Sequence, residues 1–228
     1  MTNYYEMTVA VILEDDLPFL NSYEFIGNMI SRAMLNDGML KALHSTNNFK
    51  FYTFCAFQPL EPDKIYRKGR IYITIIRALS SNYLLALKKL LPQIDYPVKI
   101  VAKEIHKFEY KPITQLITVT PVIATVFDKC WTKEDGLLLL RERAHINAFK
   151  KYRAYFGDIP EPKDNFIEYI QQTNIKPIKI PYKNVSLLGN KLVISVKDDE
   201  VSQKLAFTAL GAGLLEKGSI GMGYCSAR

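Results

Sequence analysis

The sequence predicts an α+β protein built from two tandem ferredoxin-like units, each in the order βαββαβ, with an antiparallel sheet in each and a cleft between them. Three observations predict it. Over residues 1–111 the apolar spacing alternates between a period of two and a helical period, in the order strand, helix, strand, strand, helix, strand. Residues 112–228 repeat that order more loosely, after a break at Lys111-Pro112. The chain has 228 residues, 48% hydrophobic and 23% charged, which suffices for two small units with proper cores.

In the first unit, Tyr5, Met7, Val9, Val11 and Leu13 alternate as in a half-buried strand. Residues 22–35 place Phe25, Ile26, Met29, Ile30, Ala33 and Met34 on one helical face. Residues 49–57 are aromatic and β-branched with a period of two, a strand, and Ile71, Ile73 and Ile75 mark another. Residues 82–91 read as a helix closed by Pro92, because the residue before a proline avoids helical angles. Residues 98–108 complete the unit as a strand. In the second unit, residues 116–127 read as a strand interrupted by Pro121, which suits an edge position or a bulge. A long helical region over 133–156, strands over 174–183 and 187–197, a short helix over 201–210 and a closing strand over 218–227 follow. Sheet faces of this kind are common platforms for RNA.

Composition narrows the function. Thirty basic residues against 23 acidic ones give a net charge of +7, a moderate bias that suits a face for a polyanion. No stretch approaches the roughly eighteen apolar residues of a membrane span, and the N-terminus lacks the features of a signal peptide, so a cytoplasmic protein without a membrane partner is expected. Cys55, Cys130 and Cys225 are odd in number and widely spaced, fitting neither a metal pattern nor a disulfide framework. Asp15-Asp16 and Asp198-Asp199 are adjacent and therefore splayed, and no G-x-S-x-G elbow occurs; neither a metal nor a cofactor is expected.

Five of the eleven glycines fall within thirteen residues: Gly211, Gly213, Gly218, Gly221 and Gly223. Such a run lets the backbone lie close against something, and exposed N–H groups of such loops suit phosphate oxygens. The spacing fits neither a dinucleotide fingerprint nor a P-loop, since Glu216-Lys217-Gly218-Ser219 has the P-loop order wrong. A nucleic-acid backbone held by these glycines, Lys217 and Ser219 stands against the plainer alternative of a long bulged hairpin.

Three histidines are present. His44 lies among turn-forming residues between the first helix and the second strand, with Lys50 six positions on. Imidazole can give or take a proton near neutral pH, and an ammonium can neutralise charge on a phosphate in transfer; a surface histidine beside a solvated lysine is the plain alternative. His106 sits on the last strand of the first unit, in a structural or phosphate-contacting role. His145 belongs to a helix carrying Arg141, Arg143, Lys150, Lys151 and Arg153, several of which the spacing places on a shared basic stripe for a polyanion.

Together these segments resemble the CRISPR-associated endoribonucleases that cut precursor CRISPR RNA within its repeats, members of the RAMP superfamily. The resemblance covers the whole chain. Gly211–Gly223 is similar to the family's C-terminal glycine signature. Leu43-His44 followed by Phe49-Lys50-Phe51-Tyr52-Thr53-Phe54 resembles the segment after its first helix. The run from Ile117 to Ile123 resembles the strand that opens its second domain. The resemblance implies His44 as catalytic histidine and Lys50 as its cationic partner, with the glycine loop and Lys217 holding repeat RNA. It implies metal-free attack by a 2′-hydroxyl, leaving a 2′,3′-cyclic phosphate and a 5′-hydroxyl. Some members carry a tyrosine on the first helix; that position is Met29 here, which cannot transfer a proton. Tyr23 lies nearly two turns away and does not take the role. The alternative implied is a non-catalytic repeat-binding subunit of an effector complex; both a monomer and a homodimer fit the sequence.

Overall fold

A computed structural model describes residues 3–228. The first unit runs β1 (Asn3–Leu13), α1 (Ser22–Leu35), α2 (Gly38–Ser45), β2 (Tyr52–Phe54), β3 (Ile71–Ala78), α3 (Ser81–Leu90) and β4 (Val98–Glu109). Its sheet has the order β2-β3-β1-β4 with every pairing antiparallel. The second runs β5 (Gln115–Thr118), α4 (Leu137–Phe156), β6 (Ile167–Gln172), β7 (Ile178–Tyr182), β8 (Val185–Gly189), β9 (Leu192–Val196), α5 (Glu200–Ala212) and β10 (Cys225–Ala227). Its sheet has the equivalent order β6-β9-β5-β10, again antiparallel, with β7 and β8 forming a separate hairpin. These are two tandem ferredoxin-like units, as the periodicity predicts.

The first core follows from the alternation. Met7, Val9, Val11 and Leu13 of β1 are buried against Ile26, Met29, Ile30 and Ala33 of α1. Each such side chain removed from water contributes about 1.5–3 kcal/mol before the entropy of ordering it.

The second unit departs from expectation in four places. The sheet's edge strand is β6, at Ile167–Gln172, a stretch without a strand signal. Only Ile167 and Ile170 of it are buried, and a register shift between Ile167 and Tyr169 breaks the period of two. The strand expected over 174–183 is instead one arm of the β7–β8 hairpin, outside that sheet. β5 ends at Thr118 and lies in the middle of its sheet, so Pro121 marks neither an edge nor a bulge; it follows the strand, and its carbonyl accepts from Gly223 N at 2.9 Å. Of the closing strand expected over 218–227, only Cys225–Ala227 pairs, while Gly218–Ile220 is a single 3-10 turn. In the first unit, likewise, only Tyr52–Phe54 of residues 49–57 forms a strand.

The two units pack on one another. Leu79, Tyr4 and Phe51 of the first join the core of the second. Arg77 of β3, 5% exposed, is the polar link. Its Nε donates to Glu6 Oε1 at 2.7 Å, Nη1 to the carbonyls of Leu210 (3.1 Å) and Cys225 (2.6 Å), and Nη2 to the Tyr224 hydroxyl (2.8 Å). The Tyr224 hydroxyl in turn donates to Glu6 Oε1 at 3.0 Å. Among the described residues no helix is long and apolar enough to cross a membrane.

Candidate nucleic-acid interface

His44 is carried by a helix rather than a turn. Asp37 caps α2 by accepting from Leu40 N at 2.9 Å, and Leu40 faces the core. A capping Asp followed by Leu40 and Leu43 at helical spacing was the signal for this element. His44 stands exposed in its last turn.

Lys50 closes that helix. Its Nζ donates to the carbonyls of Leu43, His44 (3.2 Å) and Thr46 (2.6 Å), and contacts the Thr46 hydroxyl at 3.2 Å. The last carbonyls of a helix have no partner within it, and a cation there satisfies them and complements the helix dipole. All three N–H groups of the ammonium are thereby taken. Burial pulls its pKa below the ordinary lysine value. Where the expectation was a direct contact to a phosphate, the contacts seen fix the end of the helix that bears His44.

A cleft of about 350 Å³ opens beside this helix end. One wall is the segment from Thr46 to Tyr52, a second is Asn147 and Lys151 of α4, and the third is Leu215 to Ser219 of the glycine loop. Both units contribute, and Lys50 lines the first wall. The His44 ring is not among the lining groups; its residue lies two positions before Thr46, where the first wall begins.

The glycines do lie against something, and that something is the protein itself. Gly211 is inside α5, and Gly211, Gly213, Gly221 and Gly223 are all buried. Gly221 has φ +86°, and a Cβ there would come within 2.5 Å of the Phe54 ring of β2. Gly223 has φ +70°, and its Cβ would stand 2.0 Å from the Leu214 carbonyl oxygen. Where an RNA backbone was expected against these four, the structure has protein: the missing side chains let the loop fold back on itself and press against the first unit. Lys217, exposed and in the left-handed conformation, Gly218 and Ser219 are the members that face the cleft. Gly223→Ala is expected to cost more than about 2 kcal/mol in chemical denaturation, because left-handed strain adds to a clash with backbone that cannot rotate away. An unchanged midpoint would contradict this packing.

The basic residues of α4 do not form one stripe. Arg141 turns to the edge of the second sheet, its Nε and Nη2 donating to the Ile167 carbonyl at 2.8 and 2.5 Å. His145 Nδ1 accepts from Phe166 N at 3.2 Å, and burial lowers its pKa. Arg153 pairs with Asp158 at 3.0 Å. Lys150 is exposed, whereas Lys151 points inward at 5% exposure, donating to the carbonyls of Gly213 (2.7 Å) and Leu215 (2.6 Å). A helix rotates about 100° per residue, so adjacent lysines part company. His106 is exposed on β4, 3.5 Å from Glu104.

Met29 is fully buried in the first core. Tyr23 is buried in a cluster with Met222, and burial pushes its phenol above the ordinary tyrosine range, so it stays protonated and shielded from solvent. Among the described residues no group of three or more His, Cys, Asp or Glu is placed to hold a metal ion.

No family model matches the sequence. The chain is 21% identical over 211 residues to the CRISPR-associated endoribonuclease Cas6 2 of Methanocaldococcus jannaschii, covering 84% of this chain and 86% of that one. Among solved structures, an RAMP protein binding different RNA substrates matches with a TM-score of 0.75 and 17% identity, over 98% of this chain and 99% of that one. A Cas6-related protein of Pyrococcus furiosus matches with a TM-score of 0.70 and 17% identity, over 100% and 99% of the two chains. In sequence over most of its length, and in fold throughout, the chain resembles the CRISPR-associated repeat-cleaving endoribonucleases.

Proposed function

We propose that the protein is an endoribonuclease that cuts precursor CRISPR RNA within its repeats, with the cut beside His44. The observation that carries this reading is the juxtaposition of an exposed histidine, a helix end fixed by Lys50, and a two-unit cleft bearing Lys217 and Ser219 on its far wall. The fold relatives support RNA as the partner.

The chemistry is an in-line transesterification. The ribose 2′-oxygen attacks its own 3′-phosphorus, the bond to the 5′-oxygen breaks, and a 2′,3′-cyclic phosphate and a 5′-hydroxyl result. One proton leaves the 2′-hydroxyl and one reaches the departing 5′-oxygen. His44 carries one of these transfers, worth roughly 10²–10⁴ in rate. Lys50 positions the histidine, and Lys217 supplies positive charge near the phosphate. Placing the attacking and leaving oxygens in line contributes much of the remainder, which is compatible with a slow, single-turnover enzyme.

The test is incubation with the cognate repeat RNA in excess chelator, followed by end-group analysis. A 5′-hydroxyl on the downstream fragment and a terminus on the upstream fragment that resists phosphatase until acid opens the ring are expected. Linear 3′-hydroxyl products, or an absolute need for divalent metal, would overturn the mechanism. A second reading, a repeat-binding subunit without activity, is favoured by Met29, since no titratable group replaces the first-helix tyrosine there. Tight binding that weakens as salt rises, with no product under any condition, would select it.

A further inference from the structure

Lys151 carries a buried amine that makes no ion pair. Its Nζ ties the two carbonyls that begin the glycine loop, those of Gly213 and Leu215. Among the described residues no carboxylate comes within ion-pairing distance of it. Glu216, the acid on the loop, makes its hydrogen bonds elsewhere, its carboxylate accepting from Thr125 N at 3.0 Å and from the Thr125 hydroxyl at 2.7 Å, and its charge only partly offsets the burial of the Lys151 amine. Cys225 of β10 also faces it, but burial pushes that thiol up to about 12, so it is neutral. The Phe49 ring lies 5.9 Å away, and Lys50 and Lys217 stand on the other two walls.

An uncharged amine has two N–H donors, which the two carbonyls satisfy completely. An ammonium has a third donor and a full charge, both costly in a buried site without a partner. Burial accordingly pulls the Lys151 pKa down to about 7. Lys151 also lines the cleft in which a polyanion is expected.

We propose that Lys151 is the positioning residue of the cleft, holding the glycine loop through the Gly213 and Leu215 carbonyls, and that its amine takes up a proton when an RNA phosphate enters. This rests on the RNA-binding reading above. The sign follows from linkage. A phosphate beside the amine favours its charged form and raises its pKa, so between pH 7 and the raised value the complex holds one more proton than the free protein. Affinity therefore falls as pH rises through that window, by up to about tenfold per pH unit.

Two measurements test this. Calorimetry at pH 8 with repeat RNA made uncleavable by one deoxyribose, run in buffers of low and high ionisation enthalpy, is expected to show uptake of close to one proton. Lys151→Met is expected to abolish that uptake and to remove protection of the Leu214 and Met222 amides from hydrogen exchange. Binding by the wild-type protein without proton uptake, or a Lys151→Met variant that keeps both, would overturn the proposal. Should the variant fail to fold, ¹⁵N-lysine NMR of the wild-type protein decides the same point. A Lys151 titration near 7 that moves upward on adding RNA supports the proposal; one near the ordinary lysine value overturns it. A titration near 7 in a protein that binds no RNA would leave the state of Lys151 standing and defeat the RNA reading instead.

Discussion

Replacing Arg77 with methionine is expected to cost about 3–5 kcal/mol of folding stability. The guanidinium joins strand to strand and unit to unit: it pairs with Glu6 in the first sheet and reaches two carbonyls and a hydroxyl in the second unit. Its removal leaves the Glu6 carboxylate in a site where its side chain is 14% exposed, together with the orphaned Leu210 and Cys225 carbonyls. Arg77→Lys is expected to recover only part of the loss, because a single ammonium cannot reproduce the planar fork that serves Glu6, Tyr224 and two carbonyls at once. For a chain of this size the methionine variant corresponds to a fall of roughly 10 °C in melting temperature. A loss below about 1 kcal/mol in denaturant titration would show that the link contributes little to holding the units together.

Replacing His44 with alanine is expected to reduce the single-turnover cleavage rate by about 10²–10⁴, equivalent to roughly 3–5 kcal/mol of transition-state stabilisation. The imidazole is exposed and the N–H groups of Lys50 go to backbone carbonyls and Thr46, so the side chain is removed without disturbing the helix end. Stability is expected to stay within about 0.5 kcal/mol of the wild type, as for most surface substitutions. RNA affinity is expected to stay within about twofold, because the cleft walls are untouched. An unchanged rate would remove His44 from the chemistry. A rate loss matched by an equal loss of affinity would move it from proton transfer to binding.

The first unit was largely legible because its β1 alternation and its α1 stripe are both long and uninterrupted. The second was less so, for identifiable reasons. β6 buries two side chains three residues apart, a spacing that breaks a strand's period of two. α4 was legible as a helix, but its buried face was not: of Leu140, Ala144, Ala148, Lys151 and Tyr152, three are alanine or lysine. The glycine cluster did announce close approach, but the surface approached is tertiary information: the Phe54 ring comes from a strand some 160 positions earlier. The contacts of Lys50 were not legible for a local reason. The five residues between His44 and Lys50 read as loop and strand, whereas a helix that ends at Ser45 supplies unpaired carbonyls that a nearby ammonium satisfies. Arg77 gave no sequence signal, since an arginine at the end of an apolar strand looks like a solvated one.

Cleavage through the ribose hydroxyl beside His44 is tested most directly with two repeat RNAs that differ at one position. One is all ribose, and the other carries a single deoxyribose immediately upstream of the cut. Single-turnover cleavage of both is measured in excess chelator. The all-ribose RNA is predicted to be cut, and the deoxy RNA to bind with equal affinity and remain intact. Cleavage of the deoxy RNA at a comparable rate would contradict the account.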